Sequence, residues 1–199
     1  RWRRSPAAAS RGAPAGRTPR RLRKALMARG PGDVVQIDSL KVGLGHGRQA
    51  RQFTAIDCAS RWSVAMATHR LTAARFLDKL LAAMPFPVGT IQIDGGSEFM
   101  AEFEQACARR KLPLWVLPPR RPEMNGRIER TQATWRYEFY ASYDPPRQIA
   151  DLNNLLDAYA HTCNTCRPHD ALGQRTPLEY PCTGESEDPI KNARASQMS

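Results

Sequence analysis

Two short runs of alternating residues, each closing on an aspartate, restrict the fold more than any other feature of this sequence. Residues 34–38 read Val-Val-Gln-Ile-Asp and residues 90–94 read Thr-Ile-Gln-Ile-Asp, and both runs are typical of short β-strands. Side chains alternate between the faces of a strand, so Asp38 and Asp94 each point to one defined face. If the two strands are neighbours, their carboxylates meet at one edge of a sheet.

The rest of the chain predicts three further strands and four helices. The strands fall at residues 52–56, 62–68 and 114–117, and the helices at 72–84, 99–111, from about 125 past 135, and 149–163. Three strands in succession predict an antiparallel meander, and the helices that then alternate with strands indicate a sheet covered on both faces. We therefore predict an α/β fold with a five-stranded mixed sheet flanked by helices.

The charge of the chain is unevenly spread. The 199 residues carry a formal net charge of +11, but ten of the 30 basic residues lie in residues 1–30, which hold no acidic residue. The other 20 basic and 19 acidic residues nearly cancel, so the high pI mostly describes one segment. We expect a basic Arg/Pro-rich arm or linker at 1–30, a folded core at 31–181 and a mobile C-terminal tail at 182–199.

Targeting and redox features point to a cytosolic protein. Residues 1–30 lack the apolar segment of a secretory signal, and no stretch approaches the roughly 18 apolar residues of a membrane span. The five cysteines are odd in number and their spacing forms no disulfide ladder. A reduced, cytoplasmic protein with no membrane association is the prediction.

Two neighbouring carboxylates repel each other unless cations neutralise them. Ligand sets made of oxygen atoms suit Mg²⁺ or Mn²⁺. A third carboxylate, Glu129, lies on a predicted helix, four residues after Asn125 and on the same face. The opposite face of that helix carries a predicted buried stripe made of Ile128, Trp135 and Phe139. Glu129 is thus expected to point away from the core, toward Asp38 and Asp94.

At this point the sequence resembles the catalytic core of retroviral-integrase-like (DDE) transposases from bacterial insertion sequences. The matching segments occur in family order, and Asp94 and Glu129 are separated by 35 positions, close to the family's spacing. Together the segments cover roughly residues 31–181. They read Gln-Ile-Asp at 36–38, Asp-Gly-Gly-Ser-Glu-Phe at 94–99, Pro-Glu-Met-Asn-Gly-Arg-Ile-Glu-Arg at 122–130, Asn-Thr-Cys-Arg-Pro-His-Asp-Ala-Leu-Gly at 164–173 and Thr-Pro-Leu-Glu-Tyr at 176–180.

The resemblance implies a ribonuclease-H-like fold and a catalytic, metal-binding triad of Asp38, Asp94 and Glu129. It implies a polynucleotidyl transferase that uses two divalent ions, Mg²⁺ or Mn²⁺, to cut DNA and to join transposon ends to a target. Relatives work as multimers on DNA in the bacterial cytoplasm. A helix-turn-helix region precedes their core, and we expect the body of that region to be missing from this chain. Relatives usually carry Asn where this sequence has Gly95.

Basic residues cluster between the second and third carboxylates. Beside a site for phosphoryl transfer, contact with the DNA backbone is the favoured interpretation of such a cluster. We predict DNA-binding roles for Arg120, Arg121, Asn125, Arg127 and Arg130.

Several alternatives remain open. The chain could be a nuclease of the same fold class, for instance one that cleaves RNA in hybrids, or a catalytically impaired DNA-binding remnant of a mobile element. Glu98 is expected to be structural, with a role as an additional metal ligand as the alternative. Asp57 is expected to form a turn. Cys163 and Cys166 have the spacing of half a zinc site, but packed or exposed thiols are the favoured interpretation.

Overall fold

The computed structural model describes residues 20–21, 26–69, 73–99, 101–118 and 124–180. The strands are β1 (Arg20–Arg21), β2 (Val35–Gly43), β3 (Gln49–Asp57), β4 (Ser63–Thr68), β5 (Ile91–Ile93) and β6 (Leu114–Val116). The helices are α1 (Ala73–Ala83), α2 (Glu102–Arg109), α3 (Gly126–Thr134), α4 (Tyr140–Ser142) and α5 (Ile149–Thr165). Short 3₁₀ turns lie at Ser97–Phe99 and Asp170–Leu172, and a π-helical segment, Trp135–Phe139, joins α3 to α4.

One mixed sheet organises these elements, with the strand order β1-β6-β5-β2-β3-β4. Strands β2, β3 and β4 form the predicted antiparallel meander. Strand β5 pairs in parallel with β2, and β6 pairs in parallel with β5. The five predicted strands are therefore all present, in a sheet that mixes both pairing directions.

The sheet differs from the prediction at two places. Strand β2 continues past Asp38 to Gly43, because its second half pairs along its whole length with β3. A sixth strand, β1, pairs in parallel with β6 and lies inside the segment predicted to be an arm. The remaining residues of that arm up to 25, and residues 181–199, lie outside the described residues, as does Thr72 before α1.

One face of the sheet is covered by α1 and α2. Four aromatic rings form the centre of this core, with successive centroids 5.3 to 5.8 Å apart; they belong to Phe76, Phe53, Phe99 and Phe103. All four side chains are fully buried. Aromatic pairs in these geometries stabilise a core beyond the area that they bury, which fixes α1 and the segment after β5 against the strands.

The other face is covered by α3, the π-helical segment and α5. Ile128, Trp135 and Phe139 are each at most 2% exposed, which confirms the predicted buried stripe. Leu152 and Leu156 of α5 pack in the same cluster as Trp135 and Phe139 and are fully buried. Helix α3 contacts β2 and β3 on the face of the sheet that carries Asp38.

Asp57 confirms the prediction that it forms a turn. Its carboxylate is fully buried and accepts hydrogen bonds from the backbone N–H groups of Gly32, Ala59 and Ser60, at 2.9, 3.2 and 2.7 Å, and from the Ser60 hydroxyl at 2.8 Å. A buried carboxylate is tolerated when donors satisfy its oxygens in this way. The turn ties the end of β3 to the residues that lead into β2.

Candidate active site

Asp38 and Asp94 lie level with each other on neighbouring strands. The register of β2 and β5 pairs Gln36 with Gln92 and Ile37 with Ile93, so the next residue on each strand is an aspartate. Strand β5 ends at this point, whereas β2 continues without a partner on that side. Asp38 was predicted to end its strand, but β2 continues to Gly43. Asp38 lies instead at the edge of β2 that is left open where β5 stops.

The surroundings of Asp38 disfavour a bare negative charge. Burial raises the pKa of this carboxyl from about 3.8 to about 6, and the charges of Asp94 and Glu98 act in the same direction. The Ser39 N–H, 2.7 Å from Asp38 Oδ1, and the Gln132 side chain oppose the rise in pKa. The parallel register of β2 and β5 places the two aspartates side by side, and Asp94 itself is exposed.

This environment gives an expected pH dependence for the metal-free protein. A raised folded-state pKa means that the folded protein holds its proton more tightly than the unfolded chain between about pH 4 and 6. The stability that this group contributes is complete below pH 4 and is lost as the pH rises through 6. Asp38→Asn, which keeps an oxygen for the Ser39 N–H, should therefore gain melting temperature relative to the wild type above pH 6 in a chelator.

The measurement is thermal unfolding of both proteins from pH 4 to pH 8. Asp144→Asn, in the exposed loop before α5, serves as the control. Its melting temperature should show no such gain over the wild type above pH 6. A difference between Asp38→Asn and wild type that stays constant across this range would contradict the environment described for Asp38.

Glu98 is held in an ion pair beside this pair of aspartates. Its Oε1 lies 2.7 Å from Nη1 of Arg51 on β3, and it accepts a hydrogen bond from the Ser39 hydroxyl. The Glu98 side chain is only 10% exposed, and a buried carboxylate with a paired guanidinium is satisfied where it lies. These contacts support the structural interpretation of Glu98.

Two buried glutamines attach the start of α3 to the strands that carry the aspartates. Gln36 Nε2 donates to the Met124 carbonyl at 2.9 Å, and Gln92 Nε2 donates to the same carbonyl at 3.1 Å. Gln36 Oε1 in turn accepts the Ile128 N–H at 3.2 Å. These bonds fix where α3 begins, and Glu129 follows Ile128 directly. Sequence reasoning gave neither glutamine a role beyond its place on a strand face.

The Gln132 side chain of α3 faces the environment of Asp38. It lowers the Asp38 pKa, yet neither of its polar atoms has a partner within hydrogen-bonding distance, and the residue is only 3% exposed. An unsatisfied buried amide is costly.

The structure brings Asp38 and Asp94 together but does not close the triad. Glu129 is exposed on α3, one helical turn before Gln132. Within the described residues, no three acidic, histidine or cysteine side chains approach closely enough to hold a metal ion. The same finding applies to Cys163 and Cys166, which are free thiols.

Gly95 satisfies a backbone requirement of the turn after Asp94. Its φ is +84°, and a Cβ there would lie 2.9 Å from Cγ1 of Val116. Glycine adopts this left-handed conformation freely, and Asn is among the few other residues that tolerate it. Gly95 therefore keeps the turn in which the Gly96 N–H donates to Asp94 Oδ1 at 3.0 Å.

The predicted DNA contacts divide into three groups. Arg127 and Arg130 are exposed on α3. Asn125 precedes the helix and is only 8% exposed, which leaves little of its amide open to a ligand. Arg120 and Arg121 lie outside the described residues. Their roles in DNA binding stay predictions.

Comparison with known protein families identifies two overlapping matches. Two family models, each described as an integrase core domain, match residues 28–122 and 113–177. Among curated proteins, the chain is similar to the InsD transposases of IS2 insertion elements in Escherichia coli, with 27% identity over 169 residues, or 76% of this chain. The chain spans 55% of the length of that relative and 76% of the InsD protein of element IS2E.

Solved structures show the same fold. A chain in the complex of the simian T-cell lymphotropic virus intasome with PP2A regulatory subunit B56 gamma aligns with a TM-score of 0.64 and 19% identity, over 88% of this chain and 62% of that one. The HTLV-2 integrase catalytic core, solved with magnesium in a trimeric form, aligns with a TM-score of 0.59 and 15% identity, over 79% of this chain and 99% of that one. These likenesses confirm the ribonuclease-H-like fold. Among the helices that are described, none is long and apolar enough to cross a bilayer.

Proposed function

Because the chain belongs to the integrase core domain family, we propose that it is the catalytic domain of a DDE transposase. It would cleave DNA strands and transfer the resulting ends to a target. The observation that carries this proposal is the placement of Asp38 and Asp94 at the open edge beside β5, under a helix that presents Glu129. Strands and helix are joined there by Gln36 and Gln92.

Asp38, Asp94 and Glu129 are the residues proposed to hold two Mg²⁺ or Mn²⁺ ions. Three carboxylates suit these hard cations, and the raised Asp38 pKa and the orphan Gln132 amide are both features that a cation would relieve. When bound, the ions supply activation of the attacking oxygen and neutralisation of charge on the phosphorus and the leaving 3′-oxygen. Magnesium is present in the HTLV-2 integrase core, which is consistent with this choice.

The chain's own residues position these groups. Strand pairing holds Asp38 and Asp94, and the Gly96 and Ser39 N–H groups orient one oxygen of each. Glu129 would close over them from α3, and Gln132 would donate an N–H to the Asp38 carboxylate. Binding requires the deprotonated carboxylates, so occupancy would rise as the pH passes the pKa of Asp38.

The proposed substrates are the ends of an insertion element and a target duplex. The relatives are transposases named after insertion elements, and the solved neighbours include an intasome and a trimeric core. By analogy, we propose that the chain acts as a homo-oligomer on DNA, in the bacterial cytoplasm where that DNA lies. The full activity would also need end recognition, for which a helix-turn-helix region upstream of this core is the proposed source.

The test is strand transfer of labelled end DNA from the element's own terminal repeats into a supercoiled target plasmid. We expect joined products with Mg²⁺ or Mn²⁺, loss of products in excess chelator, and recovery when the metal is restored. Hydrolysed strands without any joined product would instead support a nuclease of this fold. Neither cleavage nor joining, by protein that binds the same DNA, would support an impaired remnant.

A further inference from the structure

We propose that a cavity on the flank of α3 away from Glu129 binds a phosphodiester group of a DNA backbone, at a place separate from the triad. The cavity has a volume of about 480 Å³. It lies between α3, the turn before β4 and the segment after α5. We call it the arginine pocket, and its basic lining residues are Arg61, Arg127, Arg130, Arg167 and His169. The proposal rests on the proposed function, because it assigns a second DNA contact to the same domain.

The geometry of α3 separates the arginine pocket from the triad. With 3.6 residues per turn, Arg127, Arg130 and Thr134 fall on one flank of the helix, and all three line the pocket. Gln132 lies on the flank that faces Asp38, and none of the triad residues lines the pocket. Helix α3 thus carries the Glu129 carboxylate on one side and the guanidinium groups of Arg127 and Arg130 on the other.

Arg61, which lines the pocket, has a strained backbone conformation. Its φ is +65°, a left-handed conformation that non-glycine residues rarely adopt. Its Nη1 donates to the Cys58 carbonyl at 2.7 Å, which fixes the guanidinium. Strain of this kind persists where the surrounding structure maintains it, and it is concentrated at functional sites.

Like charges face each other across this cavity. Burial lowers the Arg61 pKa, and the positive charges of Arg127 and Arg130 lower it further. Burial also lowers the His169 pKa, and the charges of Arg167 and Arg61 add to that effect. An anion between these groups would remove the repulsion.

Few carboxylates compensate the positive charge. Arg167 is paired with Glu138 through both of its terminal nitrogens, and Asp170 accepts a hydrogen bond from Gln174 at 2.7 Å. Among the residues that the structure describes, the guanidinium groups of Arg127 and Arg130 make no ion pair with an acidic side chain. They are exposed and open to a ligand.

Guanidinium groups match phosphate oxygens in a two-pronged geometry, which favours a phosphate over other anions. The cavity is larger than one phosphate needs, so it has room for the sugar on either side of a backbone phosphate. Ile56, Ala171 and Trp135 also line the cavity and give that sugar an apolar surface. A transferase that joins two DNAs must hold more duplex than the scissile bond alone, and this pocket would supply one such contact.

The test compares two double variants of the full chain. Arg127→Gln/Arg130→Gln removes two charges from the pocket, and Arg75→Gln/Arg109→Gln removes two exposed charges from α1 and α2 on the opposite face of the sheet. Binding to a labelled duplex is followed by fluorescence anisotropy over a range of salt concentrations, without divalent metal. Each lost phosphate contact lowers the slope of log K against log salt by about 0.9.

We expect the slope to fall by about 0.9, the loss of one phosphate contact, in the pocket variant and to stay near the wild-type value in the control. Equal slopes in wild type and pocket variant, or an equal fall in both variants, would overturn the assignment. Inorganic phosphate and a nucleoside monophosphate are tested in parallel by thermal shift. Stabilisation that needs Arg127 and Arg130, without any change in the DNA slope, would assign the pocket to a free phosphate compound and would also overturn the proposal.

The outcome is separable from that of the proposed function. The binding assay contains no metal and requires no catalysis, so it does not depend on the triad. If the wild-type protein fails to join DNA but the salt slope still falls in the pocket variant, the proposed transferase activity is contradicted and the proposed phosphate contact in the arginine pocket stands.

Discussion

Glu129→Gln is expected to lower strand transfer by about 10³-fold or more while the protein stays folded. The substitution keeps the size of the side chain and removes the charge that completes the proposed metal site. Metal ions contribute several kcal/mol of charge stabilisation to phosphoryl transfer, and each 1.36 kcal/mol corresponds to about a tenfold change in rate. Because Glu129 is exposed on α3, its neutralisation should change the melting temperature of the metal-free protein very little.

Asp38→Asn and Asp94→Asn are expected to have the same effect on strand transfer. Glu102→Gln, an exposed carboxylate in the first turn of α2, is the matched control and should retain wild-type rates. Calorimetric titration with Mn²⁺ gives a second readout, in which each triad variant should lose at least one bound ion. A triad variant that joined DNA ends at the native rate would eliminate the proposed site.

Local sequence patterns predicted the placement of the site to a large extent. Strand alternation put Asp38 and Asp94 on defined faces, and the parallel register of β2 and β5 brings them level. Helical spacing predicted the buried stripe that turns Glu129 outward, and Ile128, the residue of that stripe next to Glu129, is fully buried. Such patterns depend on neighbours within one turn or one strand, which a single sequence records.

The contacts that hold the site together could not be predicted in the same way. The Gln36–Met124 hydrogen bond joins residues 88 positions apart, and the Arg51–Glu98 ion pair joins residues 47 apart. The continuation of β2 beyond Asp38 follows from its pairing with β3. Each of these depends on which segments become neighbours in space.

The arginine pocket could not be predicted from the sequence either, because its residues come from segments that are distant along the chain. Arg127 and Arg130 were recognisable as a basic pair on one helix, whereas Arg61 comes from a turn between two strands and Arg167 from beyond α5. The left-handed backbone at Arg61 has no signature in its sequence, because such conformations are the usual property of Gly and Asn. Only the packing of α3 beside the β3–β4 turn makes one cavity of these residues.

Gln36→Leu is expected to lower strand transfer by about 10²-fold, the second largest effect. Gln36 is 2% exposed and bonds both the Met124 carbonyl and the Ile128 N–H. Leucine has a similar size but cannot make either bond, so the start of α3 would depend on Gln92 alone. A shift of about 1 Å in a group that must be aligned for catalysis can cost this much. The unpaired Ile128 N–H would also lower the free energy of unfolding by about 1–3 kcal/mol.

A matched variant separates positioning from stability. Gln52→Leu removes another buried glutamine, on β3, that donates to the Thr54 hydroxyl and accepts a hydrogen bond from Tyr140. It should lose similar stability but keep strand transfer and Mn²⁺ affinity at a temperature where both variants are folded. Gln36→Leu should lose transfer and bind Mn²⁺ more weakly under the same conditions. If the two variants lose transfer equally, Gln36 only supports the fold, and Glu129 reaches the aspartates without its help.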